Sequence, residues 1–169
     1  PFIGFLINGL GNRKLPKALV GLLGSGTVLA SFLISVYLFI DFTSNGSRPY
    51  IVDLYNWFTV GSLEIGFSFM IDQLTLLMLL MVTGIGFLIH LYSTAYMHEE
   101  TAPHFARYFA YLNLFVFSML LLVLGSNYVI MFIGWEGVGL CSYLLIGFWN
   151  QKNSYGDAAR KAFIMNRIG

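Results

Sequence analysis

Charged residues are scarce in this sequence. Asp, Glu, Lys and Arg make up 10% of its 169 residues, whereas 57% of the residues are hydrophobic. Soluble globular domains carry about 25% charged residues, so this composition excludes an ordinary water-soluble domain and indicates an integral membrane protein. The formal net charge of +1 gives no reason to expect nucleic acid or an acidic partner.

Cysteine is almost absent, since Cys141 is the only one. A single cysteine excludes an intrachain disulfide and a cysteine-based metal cluster. Histidine and glutamate residues lie close together in segment 98–104, but their spacing is that of a solvated loop rather than a metal site. The glycines of segment 83–89 lack the third glycine and the preceding strand of a nucleotide-binding loop. We therefore expect this chain to bind neither a metal nor a cofactor.

Long uncharged runs are what the sequence has instead. Runs of this length and hydrophobicity predict membrane-spanning helices. We predict an all-α, polytopic membrane helix bundle that forms a single membrane domain over residues 1–169. The sequence opens and closes inside predicted helices, so we expect a piece of a longer chain, truncated at both ends. The predicted spans are approximately 1–7 (the end of a first helix), 18–40, 73–96, 108–124, 128–149 and 162–169 (the start of a sixth helix).

One segment, around residues 50–70, has a different pattern. Apolar side chains at every second position from Leu63 to Phe69 alternate with Glu64 and with small residues. A period of two is typical of a strand, so we predict a short β-hairpin outside the membrane. Asp72 follows the hairpin directly, and we predict that it caps the next helix.

The distribution of Lys and Arg predicts the orientation. If the turns alternate between the two sides of the membrane, only Arg48 among the nine Lys and Arg residues falls on the side of the hairpin. Positive residues accumulate on the inner side, so we expect the hairpin to face outward and the other turns to face the cytoplasm or the matrix.

Glu136 is the only Asp, Glu, Lys, Arg or His between Arg107 and Lys152. It follows Asn127, at a predicted break between two spans, by nine residues, which at about 1.5 Å per residue places it roughly 13 Å into a hydrocarbon core of about 30 Å. An ionised carboxylate there costs at least about 2.5 kcal/mol, so such acids are usually functional. Two interpretations stay open: a group that handles protons or ions, and a carboxylate that only locks helices together.

The neighbours of Glu136 bear on both interpretations. Gly134, Gly137 and Gly139 flank the acid, and small residues let another helix or water approach closely. No lysine of this sequence lies at a matching depth, so we expect the cation that pairs with Glu136 to lie elsewhere.

The run GWEGVGLCSYLLIGF at 134–148 resembles the signature of the largest antiporter-like subunit of proton-pumping NADH:quinone oxidoreductase (respiratory complex I), called chain L or subunit 5. Related Na⁺/H⁺ antiporter subunits and the sister chains M and N share an acid at this place, but their flanking sequence differs. The resemblance covers essentially the whole chain, and segments 67–75, 82–90, 111–115 and 161–169 are similar to that family as well.

The resemblance implies a proton-translocating subunit of the membrane arm. It implies that Glu136 is the fifth-helix glutamate that relays protons together with a lysine of the seventh helix, beyond Gly169. It also implies a role for Arg167 in the inner proton route. NADH, FMN, iron–sulfur clusters and quinone would be used by other subunits, with no cofactor bound by this chain.

The partners implied by the resemblance are the lipid bilayer, protons and other membrane-arm subunits such as the neighbouring antiporter-like chain M. We expect a bacterial cytoplasmic membrane, with the mitochondrial inner membrane as the alternative. Two other functions stay open. One is a subunit of a Na⁺/H⁺ antiporter or a related membrane-bound hydrogenase, and the other is a purely structural subunit of the membrane arm.

Overall fold

Helices dominate the computed structural model, which describes residues 1–11, 15–44, 46, 48–61, 63–149 and 151–169. Within those residues the chain forms six α-helices and a two-stranded antiparallel sheet. The elements in chain order are α1 (Phe2–Leu10), α2 (Lys17–Ser44), β1 (Tyr50–Val60), β2 (Leu63–Ile71), α3 (Gln73–Tyr96), α4 (Ala102–Leu124), α5 (Tyr128–Ile146) and α6 (Asn153–Ile168).

Four of these helices, α2 to α5, are long and apolar enough to cross a membrane. The predicted fold class, a helical membrane protein with a small hairpin, is therefore confirmed. Two helices begin earlier than the predicted spans: α4 at Ala102 rather than 108, and α6 at Asn153 rather than 162. The predicted spans began directly after charged residues. A helical backbone nevertheless continues through polar sequence when the polar side chains can reach the surface.

The hairpin is attached to the turn between α4 and α5. Its strands pair from Tyr50 opposite Ile71 toward a turn that contains Gly61, whose φ of +62° favours glycine. The backbone N–H of Ser126 donates to the Ser68 carbonyl at 3.2 Å, and the Asn127 side-chain amide donates to the Gly66 carbonyl at 2.9 Å. These bonds fix the hairpin to the end of the bundle where α5 begins.

Asp72 joins the hairpin to α3. Its carboxylate accepts a hydrogen bond of 2.7 Å from the backbone N–H of Thr75, which confirms the predicted helix cap. This hydrogen bond lowers the pKa of the Asp72 carboxyl below its ordinary value, because it stabilises the ionised form.

Helix α4 is the centre of the bundle, since it contacts α1, α2, α3 and α5. The buried side chains of Phe105 and Phe109 on α4 belong to a core cluster that also contains Val20 of α2 and Phe148 after α5. A buried polar contact lies deeper in the bundle, where Asn113 accepts a hydrogen bond of 2.8 Å from the Thr27 hydroxyl. The surface of α4 therefore sets where the flanking helices, including α5, can lie.

Large apolar side chains cover the outside of the bundle. Leu22, Leu33, Tyr37, Leu74 and Leu88 are each at least 60% exposed. Apolar surface this extensive is unfavourable in water, but it is what the hydrocarbon of a bilayer solvates.

We expect Asn127→Ala to destabilise the protein by about 1 kcal/mol and to loosen the hairpin. The Asn127 side chain accepts hydrogen bonds from the N–H groups of Val129 and Ile130 at the start of α5 while it donates to Gly66. Thermal unfolding in detergent would measure the first effect, and limited proteolysis of segment 50–71 the second.

The matched control is Asn127→Asp, which keeps an acceptor for the start of α5 but has no donor for the Gly66 carbonyl. Asp is a good helix cap, so we expect near-normal thermal stability together with faster proteolysis of the hairpin. Unchanged proteolysis in both variants would contradict the proposed anchor.

Candidate functional site

Helix α5 lies unusually close to α4 because two of its residues have no side chain. A Cβ atom at Gly134 would collide with the backbone of Leu122, and one at Gly137 would lie 2.6 Å from the Ser118 hydroxyl. The predicted close approach at these glycines is therefore confirmed. One face of α5 therefore packs directly against α4.

A third glycine of α5 faces α6. A Cβ atom at Gly139 would collide with the side-chain amide of Asn166, and one at Gly147 would lie 3.2 Å from the Cβ atom of Ala159. Helix α6 therefore runs back along α5 at short distance. The helix places its last turns beside the middle of α5.

Glu136 lies in the middle of α5, between the glycines that contact α4 and the glycine that contacts α6. Its side chain is 19% exposed, and its Oε2 atom forms an ion pair with Nη1 of Arg167 on α6. The Arg167 guanidinium also stacks on the ring of Phe163, 4.4 Å from the ring centroid. The structure therefore brings together the two residues that the sequence analysis named as candidates.

The expectation that the cation partner of Glu136 lies elsewhere is wrong for this structure. It considered lysines only and did not weigh Arg167 as the partner. Because α6 starts at Asn153, Arg167 lies 14 residues into the helix, or about 21 Å along its axis. That rise carries the guanidinium to the depth of the carboxylate.

The pair sets a carboxylate beside a guanidinium within the bundle. In general, a carboxylate beside a guanidinium is stabilised as an anion, whereas an unpaired carboxylate in a medium of low polarity is stabilised when it is protonated. The side chain of Arg167 is 44% exposed and is long enough to move.

Other polar residues near the pair are few in the part of the chain that the structure describes. The Nδ2 atom of Asn166 is buried without a hydrogen-bond partner, next to the ion pair. No local sequence pattern singles out Asn166, because its position depends on the packing of α6 against Gly139. Within the described residues no group of three or more His, Cys, Asp or Glu side chains could hold a metal ion, and Cys141 is free and buried.

Two protein families match the chain. The family described as "NADH-Ubiquinone oxidoreductase (complex I), chain 5 N-terminus" matches residues 57–109. The family described as "NADH:quinone oxidoreductase/Mrp antiporter, TM" matches residues 125–169, which include α5, α6 and the Glu136–Arg167 pair.

Curated relatives match the whole chain. NADH-quinone oxidoreductase subunit L of Escherichia coli (strain K12) is 44% identical over 169 residues, which are 100% of this chain and 27% of the relative. Subunit L of Mycobacterium tuberculosis (strain ATCC 25618 / H37Rv) is 45% identical over 171 residues, 100% of this chain and 26% of the relative. NADH-ubiquinone oxidoreductase chain 5 of Metridium senile is 44% identical over 169 residues, 100% of this chain and 28% of the relative. The chain thus spans about a quarter of the length of these relatives, and the predicted resemblance is confirmed.

We expect Gly134→Ala to destabilise the protein by roughly 1–3 kcal/mol, because the added methyl group meets the backbone of Leu122, which cannot rotate away. Gly26→Ala is the matched control, since a Cβ atom at Gly26 meets nothing within 4 Å. Alanine favours a helix over glycine by up to about 1 kcal/mol, so this control should be neutral or slightly stabilising. Thermal unfolding in detergent distinguishes the two variants. An unchanged unfolding temperature for Gly134→Ala would contradict the close packing of α5 on α4.

Proposed function

This chain is a homologue of subunit L, or chain 5, of NADH-quinone oxidoreductases, and we propose that it forms part of the proton-translocating membrane arm of such a complex. In this proposal the chain carries protons, and the redox chemistry takes place in other subunits. NADH, FMN, iron–sulfur clusters and quinone would belong to those subunits. The membrane would be the bacterial cytoplasmic membrane or the mitochondrial inner membrane.

The contact between Glu136 and Arg167 supports this proposal most directly. A charged pair in the middle of an apolar helix is costly, and burial of two ions is weak evidence for stability by itself. Hydrophobic residues of similar volume would hold two helices together at least as well. A charged pair can change its protonation state, whereas hydrophobic side chains cannot.

In the proposed mechanism the proton affinity of Glu136 changes with the position of its cation. While Arg167 is in contact, the carboxylate stays ionised. When the guanidinium moves away, or when another anion competes for it, the carboxylate takes up a proton, because an isolated carboxylate is unstable in that medium. The return of the cation releases the proton. Alternating access to the two sides of the membrane would make this cycle a translocation step.

The proposed cycle would place its movement on the α6 side of Glu136. The α4 side is constrained by the backbone of Leu122, whereas Gly139 faces the side chain of Asn166, which can rotate. Small movements of α6 against α5 would therefore change the Glu136–Arg167 distance while α4 and α5 stay together. The energy for such a movement would come from redox reactions elsewhere in the complex.

Two alternatives have an observation in their favour. The ion-pair contact also suits a structural role in which Glu136 and Arg167 only hold α5 and α6 together. The name of the second matching family includes an antiporter, which suits exchange of Na⁺ for H⁺ without NADH oxidation. Sodium-dependent exchange in vesicles that lack NADH oxidation would support the antiporter and contradict the main proposal.

We expect Glu136→Gln to give an assembled complex with a lower ratio of protons translocated per NADH and a reduced rate of NADH–quinone turnover. Glutamine keeps the shape of glutamate but cannot titrate. Proton uptake into inverted membrane vesicles, measured together with NADH oxidation, gives both quantities. Normal pumping with normal turnover would exclude the relay.

Two variants separate a relay from a structural pair. The double variant Glu136→Gln with Arg167→Gln removes both charges. If the pair is purely structural, the two neutral amides would replace it and pumping would be normal. A relay stays inactive in the same double variant. Asp157→Asn is the control for the loss of one carboxylate, because Asp157 is an exposed residue of α6 with a side-chain exposure of 74%. We expect it to pump normally.

A further inference from the structure

A cavity of about 210 Å³ lies at the end of the bundle where α4 begins, α5 ends and α6 begins. It is separate from Glu136, which lies in the middle of α5. Arg107 and Tyr111 of α4 and Tyr143 of α5 provide its polar groups, and Leu144, Phe148 and Ala159 provide apolar wall. All three polar side chains can donate hydrogen bonds, and none of them carries a negative charge.

Arg107 lacks an anionic partner in the described part of the chain. Its guanidinium lies 4.8 Å from the ring centroid of Phe148, and its Nε atom is buried without a hydrogen-bond partner. A buried hydrogen-bond donor without an acceptor is unfavourable, and more so on a cation, so an acceptor next to this Nε atom would be stabilising.

Glu100 is the carboxylate whose pKa responds to the charge of Arg107, but its hydrogen bonds are made with other residues. It accepts a hydrogen bond of 2.8 Å from the indole N–H of Trp149 and also contacts His104. The pKa of the Glu100 carboxyl is lowered chiefly by the Trp149 hydrogen bond, then by His104, and least by the charge of Arg107. No ion pair within 4 Å joins Glu100 to Arg107 among the described residues.

The two tyrosines add uncharged donors. Within the described residues neither the Tyr111 nor the Tyr143 hydroxyl forms a hydrogen bond to another side chain or to the backbone, although the Tyr143 ring packs against Phe163 with 5.5 Å between ring centroids. A guanidinium with two phenol hydroxyls around one small cavity favours an anion with several oxygen acceptors, such as a phosphate group.

The surroundings favour a lipid as the source of that phosphate. The same end of the bundle holds Lys152 and Lys161 around the start of α6, and Trp149 is 42% exposed there, as expected for a membrane–water interface. The side chains of Leu144, Phe148 and Ala159 make part of the cavity wall apolar, which suits the glycerol and first acyl carbons that follow a phosphodiester but not a free, fully hydrated phosphate ion.

We propose that this cavity binds the phosphodiester headgroup of an anionic phospholipid, with Arg107 paired to the phosphate oxygens and the hydroxyls of Tyr111 and Tyr143 donating to them. The lipid provides the acceptor that the buried Nε atom needs. Because the cavity is formed by the ends of three helices, the bound lipid also joins α4 and α5 to the start of α6. This site does not depend on the proposed proton relay.

Photolabelling tests the proposal in the intact complex. A photoactivatable phosphatidylglycerol is added to the complex in nanodiscs, and labelled peptides are mapped by mass spectrometry. We expect labelling of the peptides that contain Tyr111 and Tyr143, with competition by unlabelled phosphatidylglycerol. Arg107→Gln should reduce this labelling by about tenfold or more, as expected when a charge-assisted hydrogen bond is lost.

The control variants separate the site from general electrostatics. Arg160→Gln removes a charge at the same end of the bundle from a side chain that is 75% exposed, so labelling should change little. Arg107→Lys keeps the charge without the forked donors and should reduce labelling less than Arg107→Gln does. It also serves if Arg107→Gln does not assemble.

Three outcomes would overturn the proposal. Labelling that is unchanged in assembled Arg107→Gln and Arg107→Lys complexes would remove Arg107 from the site. Equal labelling by a photoactivatable diacylglycerol would show that the phosphate is not recognised. Competition by millimolar inorganic phosphate as strong as that by phosphatidylglycerol would assign the cavity to the free ion.

Discussion

The cost of a charge inside a membrane is the constraint on which the rest of this structure depends. Glu136 lies in the middle of an apolar helix, where an ionised carboxylate is tolerated only next to a partner. The three glycines of α5 let α4 and α6 approach closely enough to surround that carboxylate. Arg167 then completes the pair from α6. The glycines and the two charged residues thus form one arrangement, in which the close packing of the helices allows the ion pair to form.

The two sides of α5 differ in how firmly they are held. On the α4 side, Gly134 meets backbone atoms, and the start of α5 is capped by Asn127, which also holds the hairpin. On the α6 side, Gly139 meets the movable amide of Asn166. In the proposed relay, the carboxylate would stay in place on the α4 side while its cation moved with α6. A phospholipid bound at Arg107 would restrain the far end of the same three helices.

Much of the fold could be predicted from the sequence because its signals are local. Low charge and long apolar runs identify the membrane helices, the period of two identifies the hairpin, and Asp72 marks the start of α3. The observed helices differ from the predicted spans at their starts, because the predicted spans began directly after charged residues. The start of α6 at Asn153 rather than 162 matters most, because it adds nine residues, or about 13 Å, of helix before Arg167.

The sequence by itself determined the class of protein, the family it resembles and the presence of one acid among apolar residues, because composition, motif and spacing are properties of the chain alone. Only the tertiary structure decided that Arg167 is the partner of Glu136, that Asn166 lies beside them and that Arg107 faces a cavity with two tyrosines. These relations join residues on different helices. Their geometry depends on how closely the helices pack and on where each one begins, which no local pattern specifies.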